Sequence, residues 1–272
     1  MDLPVALVSD NAPVKLAVRD VLEGCSAWHL WGALGWNDIR QRYRRSLLGP
    51  FWLTASMAIM VVSLGIIYSN IFKTDINDFI PFLTVGLLVW GFMSSTLGEA
   101  GTLFVGSESY IKQVRLPLTI YVNRFVWSRL IIFAHNSIIY LGVMAYFGLW
   151  PKAIILAAVP GLIALVFNAA VVCLFVGMIS ARFRDIPQII SSFLQIAFFI
   201  TPIMWKPEYL GEKSSLIVFN PLFHMIEIIR APLLGYAPSL LNYGAVFVIT
   251  VLNATIAALF FVKYRPRVAY WV

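Results

Sequence analysis

The sequence is short of charge. Only 12% of its 272 residues are Asp, Glu, Lys or Arg, against 60% hydrophobic residues. A water-soluble domain carries about 25% charged and about 45–50% apolar residues. The polar surface is too small to cover a soluble globule, so the excess has to face lipid, where only helices or closed barrels satisfy the backbone. A barrel needs short segments of alternating polarity; this chain has long unbroken apolar runs instead. Cysteine is equally scarce. Cys25 and Cys173 make no disulfide framework, and Cys173, inside an apolar run, reads as a small core residue. The three histidines, His29, His135 and His224, lie too far apart to show metal-ligand spacing. There is no G-x-x-x-x-G-K-[ST] loop to cradle ATP phosphates, no G-x-S-x-G elbow and no H-E-x-x-H. Residues 1–27 lack a basic start, apolar stretch and small-residue cleavage site, so the N-terminus is expected to be retained. Carboxylates are nearly missing from the apolar runs, which argues against coupling to a proton or sodium gradient.

What is present is helical and membrane-sized. A hydrocarbon layer about 30 Å thick takes about 20 helical residues. Six stretches qualify: Pro50–Phe72, Phe79–Glu99, Phe125–Leu149, Lys152–Ala181, Ile186–Trp205 and Leu240–Lys263. The expected fold class is therefore an all-α integral membrane protein with six transmembrane helices. With the N-terminus inside, 15 of the 20 Lys and Arg residues fall on the inner side and five, Lys73, Lys152, Lys206, Lys213 and Arg230, on the outer. That bias places both termini in the cytoplasm. It also accounts for the net charge of +7 as topology and attraction to anionic lipid, without a nucleic-acid partner.

Three segments depart from simple spans. In 26–46, Trp28, Trp31, Gly35, Ile39 and Tyr43 fall near one helical face, with Asn37, Arg40, Gln41, Arg44 and Arg45 mostly opposite. That pattern fits an amphipathic helix in the membrane interface, the alternative being a plain stop-transfer flank. Residues 1–25 read as a mixed polar segment with a turn at Asn11–Pro13. The third apolar stretch starts near Leu116 and runs to Trp150, so its helix is too long for the bilayer and projects inward, which brings Arg124 and Arg129 to the inner interface. Glu99, at the inner end of the second stretch, is then within reach of Arg124 or Arg129. Residues 206–239 hold Pro207, Pro221, Pro232 and Pro238 around the short apolar pieces Leu216–Phe219 and Leu222–Ile229. Such pieces read as short helices dipping back into the membrane from outside, or as an external loop.

Weakly polar and aromatic residues recur on two spans. The fifth carries Ser191, Ser192, Gln195, Phe198, Phe199 and Thr201; the first carries Trp52, Thr54, Ser56, Ser63, Tyr68 and Phe72. Aromatic faces with scattered hydroxyls suit sugar rings, and equally suit helix packing and interface belts.

Four stretches resemble the membrane subunit of ABC-2 type polysaccharide exporters, the O-antigen and capsule permeases. They are Asp38–Trp52 (DIRQRYRRSLLGPFW), Ser109–Pro117 (SYIKQVRLP), Arg182–Gln188 (RFRDIPQ) with Thr201–Trp205 (TPIMW), and Phe219–Glu227 (FNPLFHMIE). In this order and spacing they cover the chain from about residue 27 onward, with the entry motif closer to the O-antigen branch. The resemblance implies a cytoplasmic segment 1–25, an interface helix 26–49 and an ABC-2 type transmembrane domain 50–272. It implies a transport subunit, not an enzyme, that pairs with a second copy of itself and with two separate P-loop ATPase subunits. Those subunits bind ATP and magnesium, and the permease needs no cofactor of its own. The cargo implied is a polysaccharide on undecaprenyl diphosphate, crossing the bacterial inner membrane. By residue, the resemblance assigns ATPase coupling to Glu108, Lys112, Arg115, Arg182, Arg184 and Asp185. It assigns attraction of the lipid diphosphate to Arg40, Arg42, Arg44 and Arg45, whose other role is topology and lipid anchoring. Trp52, Tyr68, Phe193, Phe198 and Phe199 are the expected channel-lining aromatics. A permease for a drug or lipid would share the architecture, and a membrane-embedded glycosyltransferase would need a carboxylate or histidine cluster at a membrane face.

Overall fold

A computed structural model describes residues 12–44, 49, 51–114, 116–149 and 153–272. Eleven α-helices are found among them, with no strand: α1 (Ala12–Ser26), α2 (Trp28–Arg42), α3 (Phe51–Phe72), α4 (Ile76–Ala100), α5 (Glu108–Gln113), α6 (Leu118–Phe147), α7 (Ala158–Arg182), α8 (Ile186–Ile200), α9 (Pro221–Leu233), α10 (Leu240–Tyr264) and α11 (Val268–Trp271). Their ends carry the local signals that stop and start helices. Asp75 caps α4 by accepting the Asn77 N–H at 2.9 Å, and Ser239 caps α10 through the Asn242 N–H. Asn220 accepts from Leu222 and Phe223 ahead of Pro221, and Gly148, at φ 66°, closes α6.

Five helical segments are long and apolar enough to cross a membrane: α3, α4, α6, the short 3₁₀ turn Ala153–Ala157 running into α7, and α10 with its continuation to Trp271. α4 is the axis of the molecule. Phe79–Trp90 is buried without a break, followed by Phe92, Met93 and Thr96. The surrounding helices expose their apolar faces, as membrane helices in lipid do. α6 is 30 residues long, about 45 Å. Its first turns overrun the Glu99 end of α4, since Arg129, eleven residues on from Leu118, is the residue that meets Glu99.

The fifth predicted span needs a correction. Its helix, α8, stops at Ile200 instead of reaching Trp205, because Pro202 disfavours helical geometry at Thr201. Fifteen residues give about 22 Å, short of the bilayer core. The non-helical stretch 201–205 continues beyond it. This chain runs antiparallel along α4: a Cβ on Gly101 would meet Pro187, Phe198 packs on Trp90 at 5.6 Å, a Cβ on Gly86 would meet the Ile203 carbonyl, and Lys206 lies over Phe82. Residues 186–205 thus line α4 part as helix and part as non-helical chain.

The segment between α8 and α10 folds back on itself. The 3₁₀-helical stretch Pro207–Phe219 starts beside Phe72, where Tyr209 stacks at 4.7 Å, and meets α9 at a bend of 107°. α9 then returns along α4, α7 and α10, ending where Tyr140 donates to the Leu233 carbonyl. The bend is locked by His224, whose ring nitrogens lie 2.8 Å from Asn242 Oδ1 and 2.8 Å from the Val218 carbonyl. Arg230, wholly buried, bonds the Pro202 carbonyl and Glu227 and stacks over Phe82 at 4.0 Å. It ties the returning helix to the extended end of the fifth span. Deeper in the bundle, Asn168 donates to Thr250 and accepts from Asn253, joining α7 to α10.

The N-terminal region also differs from expectation. A helix does form in the 26–46 stretch, α2 (Trp28–Arg42), but a separate helix, α1, precedes it where a mixed polar segment was expected. Pro13 lies in the first turn of α1, where a proline is tolerated, and not in a turn.

Candidate translocation groove and coupling surface

α3 and α8 flank one face of α4 and leave a groove of about 510 Å³ lined by Met57, Met60, Leu87, Trp90, Gly91, Ser94, Leu194, Gln195, Phe198 and Phe199. No charged side chain lines it; Ser94 and Gln195 are its polar groups. Of the expected aromatics, Phe198 and Phe199 line this groove. Phe193 and Trp52 are exposed on α8 and α3 outside it, and Tyr68 stacks on Phe72 at the outer end of α3. Ser192 bonds back to the Gln188 carbonyl, so its hydroxyl is already used. A surface of this kind has aromatic walls and few hydrogen-bonding groups. It offers a sliding chain many weak contacts and no deep well.

The end of the bundle at Glu99 is ionic. Arg129 on α6 donates to both oxygens of Glu99 on α4, at 2.7 and 2.5 Å, and Arg42 on α2 reaches Glu99 at 3.5 Å. Arg124 turns instead to Asp38 on α2, meeting its two oxygens at 2.7 and 2.5 Å. Of the two candidates for neutralising Glu99, Arg129 does so. The face of α2 expected to meet headgroups is partly a packing face. Ile39 is buried, a Cβ on Gly35 would lie 2.9 Å from the Arg124 carbonyl, and Trp31 meets Trp127 edge-on at 6.0 Å. Trp28 and Trp36 remain exposed. Arg40 and Arg44 are exposed as well; Arg42 is drawn into the Glu99 pair, and Arg45 lies outside the described residues.

The segment after α4 carries the expected coupling residues. Glu108 and Lys112 pair across one turn of α5 at 2.6 Å. The Lys112 ammonium holds the Glu108 carboxyl below its ordinary value, and the Arg184 charge adds to this. Arg184 therefore acts at α5, which brings two separately predicted segments to one end of the molecule. Arg182 closes α7 and lies over Phe183 and Trp271, while α11 packs on both α5 and α7. The backbone carbonyl of Asp185 opens α8 by accepting from Gln188 and Ile189. Arg115 lies outside the described residues.

One residue that sequence reasoning passed over holds this end together. Asp20 on α1, essentially buried, accepts the backbone N–H groups of Leu118 and Thr119 at 3.1 Å each and the Thr119 hydroxyl. The first turn of α6 has Pro117 as its own N-cap, with no side-chain acceptor. Asp20 supplies that cap from another helix, and Arg265, just after α10, donates to the same carboxylate at 2.7 Å. Its signal lay in the spacing Ala17, Asp20, Gly24, which sets the packed face of a helix in a stretch that composition marks as polar.

With this geometry in hand, the comparisons decide the family. The model of the ABC-2 type transporter family matches residues 29–234, well over half of the chain. The chain belongs to that family. Its relatives include an O-antigen export system permease protein RfbA of Myxococcus xanthus, 25% identical over 199 residues, covering 72% of this chain and 76% of the relative. Two proteins of the same name from Klebsiella pneumoniae are 24% identical over 228 residues (81% and 87% covered) and 25% identical over 194 residues (70% and 74%). The protein is a multi-pass membrane permease of the ABC-2 type, and the all-α architecture expected from the sequence is the one observed.

Proposed function

We propose that this permease is the transmembrane subunit of an ATP-driven exporter that moves undecaprenyl-diphosphate-linked polysaccharide, an O-antigen, across the bacterial inner membrane. The groove between α3 and α8 carries the reading. It is aromatic, free of charged side chains and open at the side of the bundle, and a second copy facing it would close it into a channel. Two ATPase subunits supply the energy from outside this chain and bind the ATP and magnesium. Both termini lie in the cytoplasm with α5, following the Lys and Arg bias. The ATPase contacts are Glu108, Lys112 and Arg115 with Arg182, Arg184 and Asp185. Arg40 and Arg44, both exposed, attract a diphosphate headgroup together with Arg45, and Arg42 shares its charge with Glu99. Closure of the ATPase pair shifts α5 and tilts α3 and α8 apart, so that the polymer slides along Phe198 and Phe199. The permease itself makes and breaks no bond in the cargo.

Deleting the gene tests this directly. Lipid-linked glycan of full length should accumulate on the cytoplasmic face of the inner membrane. A shortened or missing glycan would reject export in favour of an enzymatic role.

A further inference from the structure

At the end of the bundle opposite Glu99, the first turns of α4 and α10 enclose a cavity of about 580 Å³ together with α9 and the segment 206–208. Five charged side chains line it: Asp78, Lys206, Glu208, Glu227 and Arg230. They do not neutralise one another. Arg230 and Lys206 share the Phe82 ring, 4.0 and 5.8 Å from its centre, yet Glu227 bonds Arg230 alone. Among the described residues, Lys206, Asp78 and Glu208 form no ion pair. The cavity therefore presents one unpaired cation and two unpaired carboxylates. It is separate from the groove between α3 and α8, because Asp78 and Pro81 fall on the side of α4 opposite Leu87 and Ser94.

Depth and charge select the occupant. Three membrane-length helices end at the cavity: Asn77 and Asp78 open α4, Leu241 and Asn242 open α10, and Leu149 follows the end of α6. The 25 residues of α4 are about 37 Å long, so its ends reach the headgroup layers beyond a hydrocarbon core of about 30 Å. The cavity also opens on the apolar side of α10. Leu241, in its wall, begins a stripe with Val248 and Leu252, exposed by 52, 64 and 57%. The spacing i, i+7, i+11 keeps the three on one face, and eleven residues cover about 16 Å, half the core. A headgroup site thus runs into a track for an acyl chain one leaflet deep. The charges choose the headgroup. A phosphate alone would meet three carboxylates and an ammonium alone two cations; a neutral sugar would leave Lys206, Asp78 and Glu208 without counter-charges. A phosphate joined to a primary ammonium answers both signs.

We propose that this cavity binds a membrane phospholipid whose headgroup carries a phosphate and a primary ammonium, a phosphatidylethanolamine. Lys206 holds the phosphate, Asp78 and Glu208 hold the ammonium, and an acyl chain lies along Leu241, Val248 and Leu252. Arg230 stays tied to Glu227 and the Pro202 carbonyl and shapes the cavity floor. Neither the exported glycan nor the ATPase takes part in this binding.

Native mass spectrometry of the full-length permease, titrated with single diacyl lipids in detergent, tests it. Phosphatidylethanolamine should bind about tenfold tighter than phosphatidylglycerol, which has the phosphate without the ammonium. Lys206→Gln should weaken both lipids about tenfold. The double variant Asp78→Asn, Glu208→Gln should weaken phosphatidylethanolamine alone, to the level of phosphatidylglycerol. Lipid-free thermal midpoints equal to the parent's show that the variants are folded. Equal affinity of the parent for the two lipids overturns the assignment, and so does a Lys206→Gln variant that binds both as the parent does. Glycerophosphoethanolamine, the headgroup without chains, should bind at least about tenfold more weakly than the lipid. Equal binding would place the ligand in solution and remove the α10 track, which overturns the lipid as occupant. Lipid retained by the monomer and absent from the dimer would mean that a second copy covers the cavity, and this too overturns the inference.

Discussion

Arg129 and Glu99 form a two-pronged pair between α6 and α4 in which the cation is the buried partner, 5% exposed against 45% for the carboxylate. The asymmetry decides what each substitution costs. Removing Glu99 leaves an unpaired guanidinium in the protein, for which about 3–5 kcal/mol is typical of a fully buried pair, less here because Glu99 reaches solvent. Removing Arg42, half exposed and 3.5 Å away, costs about 0–1 kcal/mol. Glu99→Ala should therefore lower the thermal midpoint in detergent clearly, and Arg42→Ala hardly at all. Equal shifts would show that Glu99 does not hold α6.

Asp20 makes a sharper case, because its partners are backbone groups that have no other acceptor at the start of α6. Asp20→Asn keeps one acceptor oxygen and loses the Arg265 pair; Asp20→Ala loses everything. A lost helix cap costs about 1–2 kcal/mol, and a bond to a charged group about 1.5–3. The alanine variant should release α1, seen as limited proteolysis near Ala27, where α1 and α2 part without a side-chain cap. The asparagine variant should be cut more slowly. Identical cutting of both variants and of the parent would mean that α1 is held by apolar contacts alone.

These two carboxylates show how far the sequence was legible. Five of the six spans were, because a lipid-facing helix announces itself by length and composition. Glu99 was suspected because a carboxylate in an apolar run is conspicuous. Asp20 was not, since among Lys15, Arg19 and Glu23 one more charge carries no signal until the helical spacing of Ala17 and Gly24 is noticed. The early end of α8 was written in Pro202, but continuous hydropathy through Met204 and Trp205 masked it. Grouping Phe198 and Phe199 with Trp90 and Met57 required the third dimension: three helix faces meet there, and no periodicity within one helix reports on its neighbours.

The Glu108–Lys112 pair gives a pH dependence of known sign. The Glu108 carboxyl titrates below its ordinary value of 4.5 because Lys112 bonds its charged form. The pair's support of α5 is therefore complete above that ordinary value and fades as pH falls through the lower, folded one. Amide exchange in α5 should stay constant from neutral pH to about 5, after correction for intrinsic rates, and accelerate below the folded value. Lys112→Met should shift the acceleration upward. At neutral pH, Lys112→Glu should impair ATP-driven export while leaving membrane insertion intact; unchanged export would remove Lys112 from the coupling surface.

Gly161 on α7 admits α9 at backbone distance. A Cβ there would lie 2.9 Å from the Ile228 carbonyl, a backbone group that cannot swing away, and 3.1 Å from the Ile229 side chain. Small residues at such crossings let helices approach closely in membranes. Gly161→Val should push α9 outward and disturb the nearby Arg230 and Tyr140 contacts, lowering stability by about 1–3 kcal/mol. Gly142, which has open space around it, serves as control, and Gly142→Ala should be neutral. The readout is the thermal midpoint, with glycan export measured in cells. A neutral Gly161→Val would show that α9 is not seated against α7.

The groove yields the prediction that separates a sliding surface from a binding site. Phe198 packs on Trp90, so Phe198→Ala removes core contacts as well as groove wall and should cost stability, about 3–5 kcal/mol if the hole cannot collapse. Phe199 is exposed, so Phe199→Ala should leave the fold intact and isolate the effect on transport. If the polymer slides on weak aromatic contacts, Phe199→Ala slows export by a modest factor, and Phe199→Trp or Phe199→Tyr restores it, because any aromatic face serves. A specific site behaves otherwise: one ring at one place recognises one sugar, so Ala, Trp and Tyr all abolish export of that glycan. Export rates of the three variants, normalised to the amount of folded permease, decide between them. Wild-type rates in all three would remove Phe199 from the path.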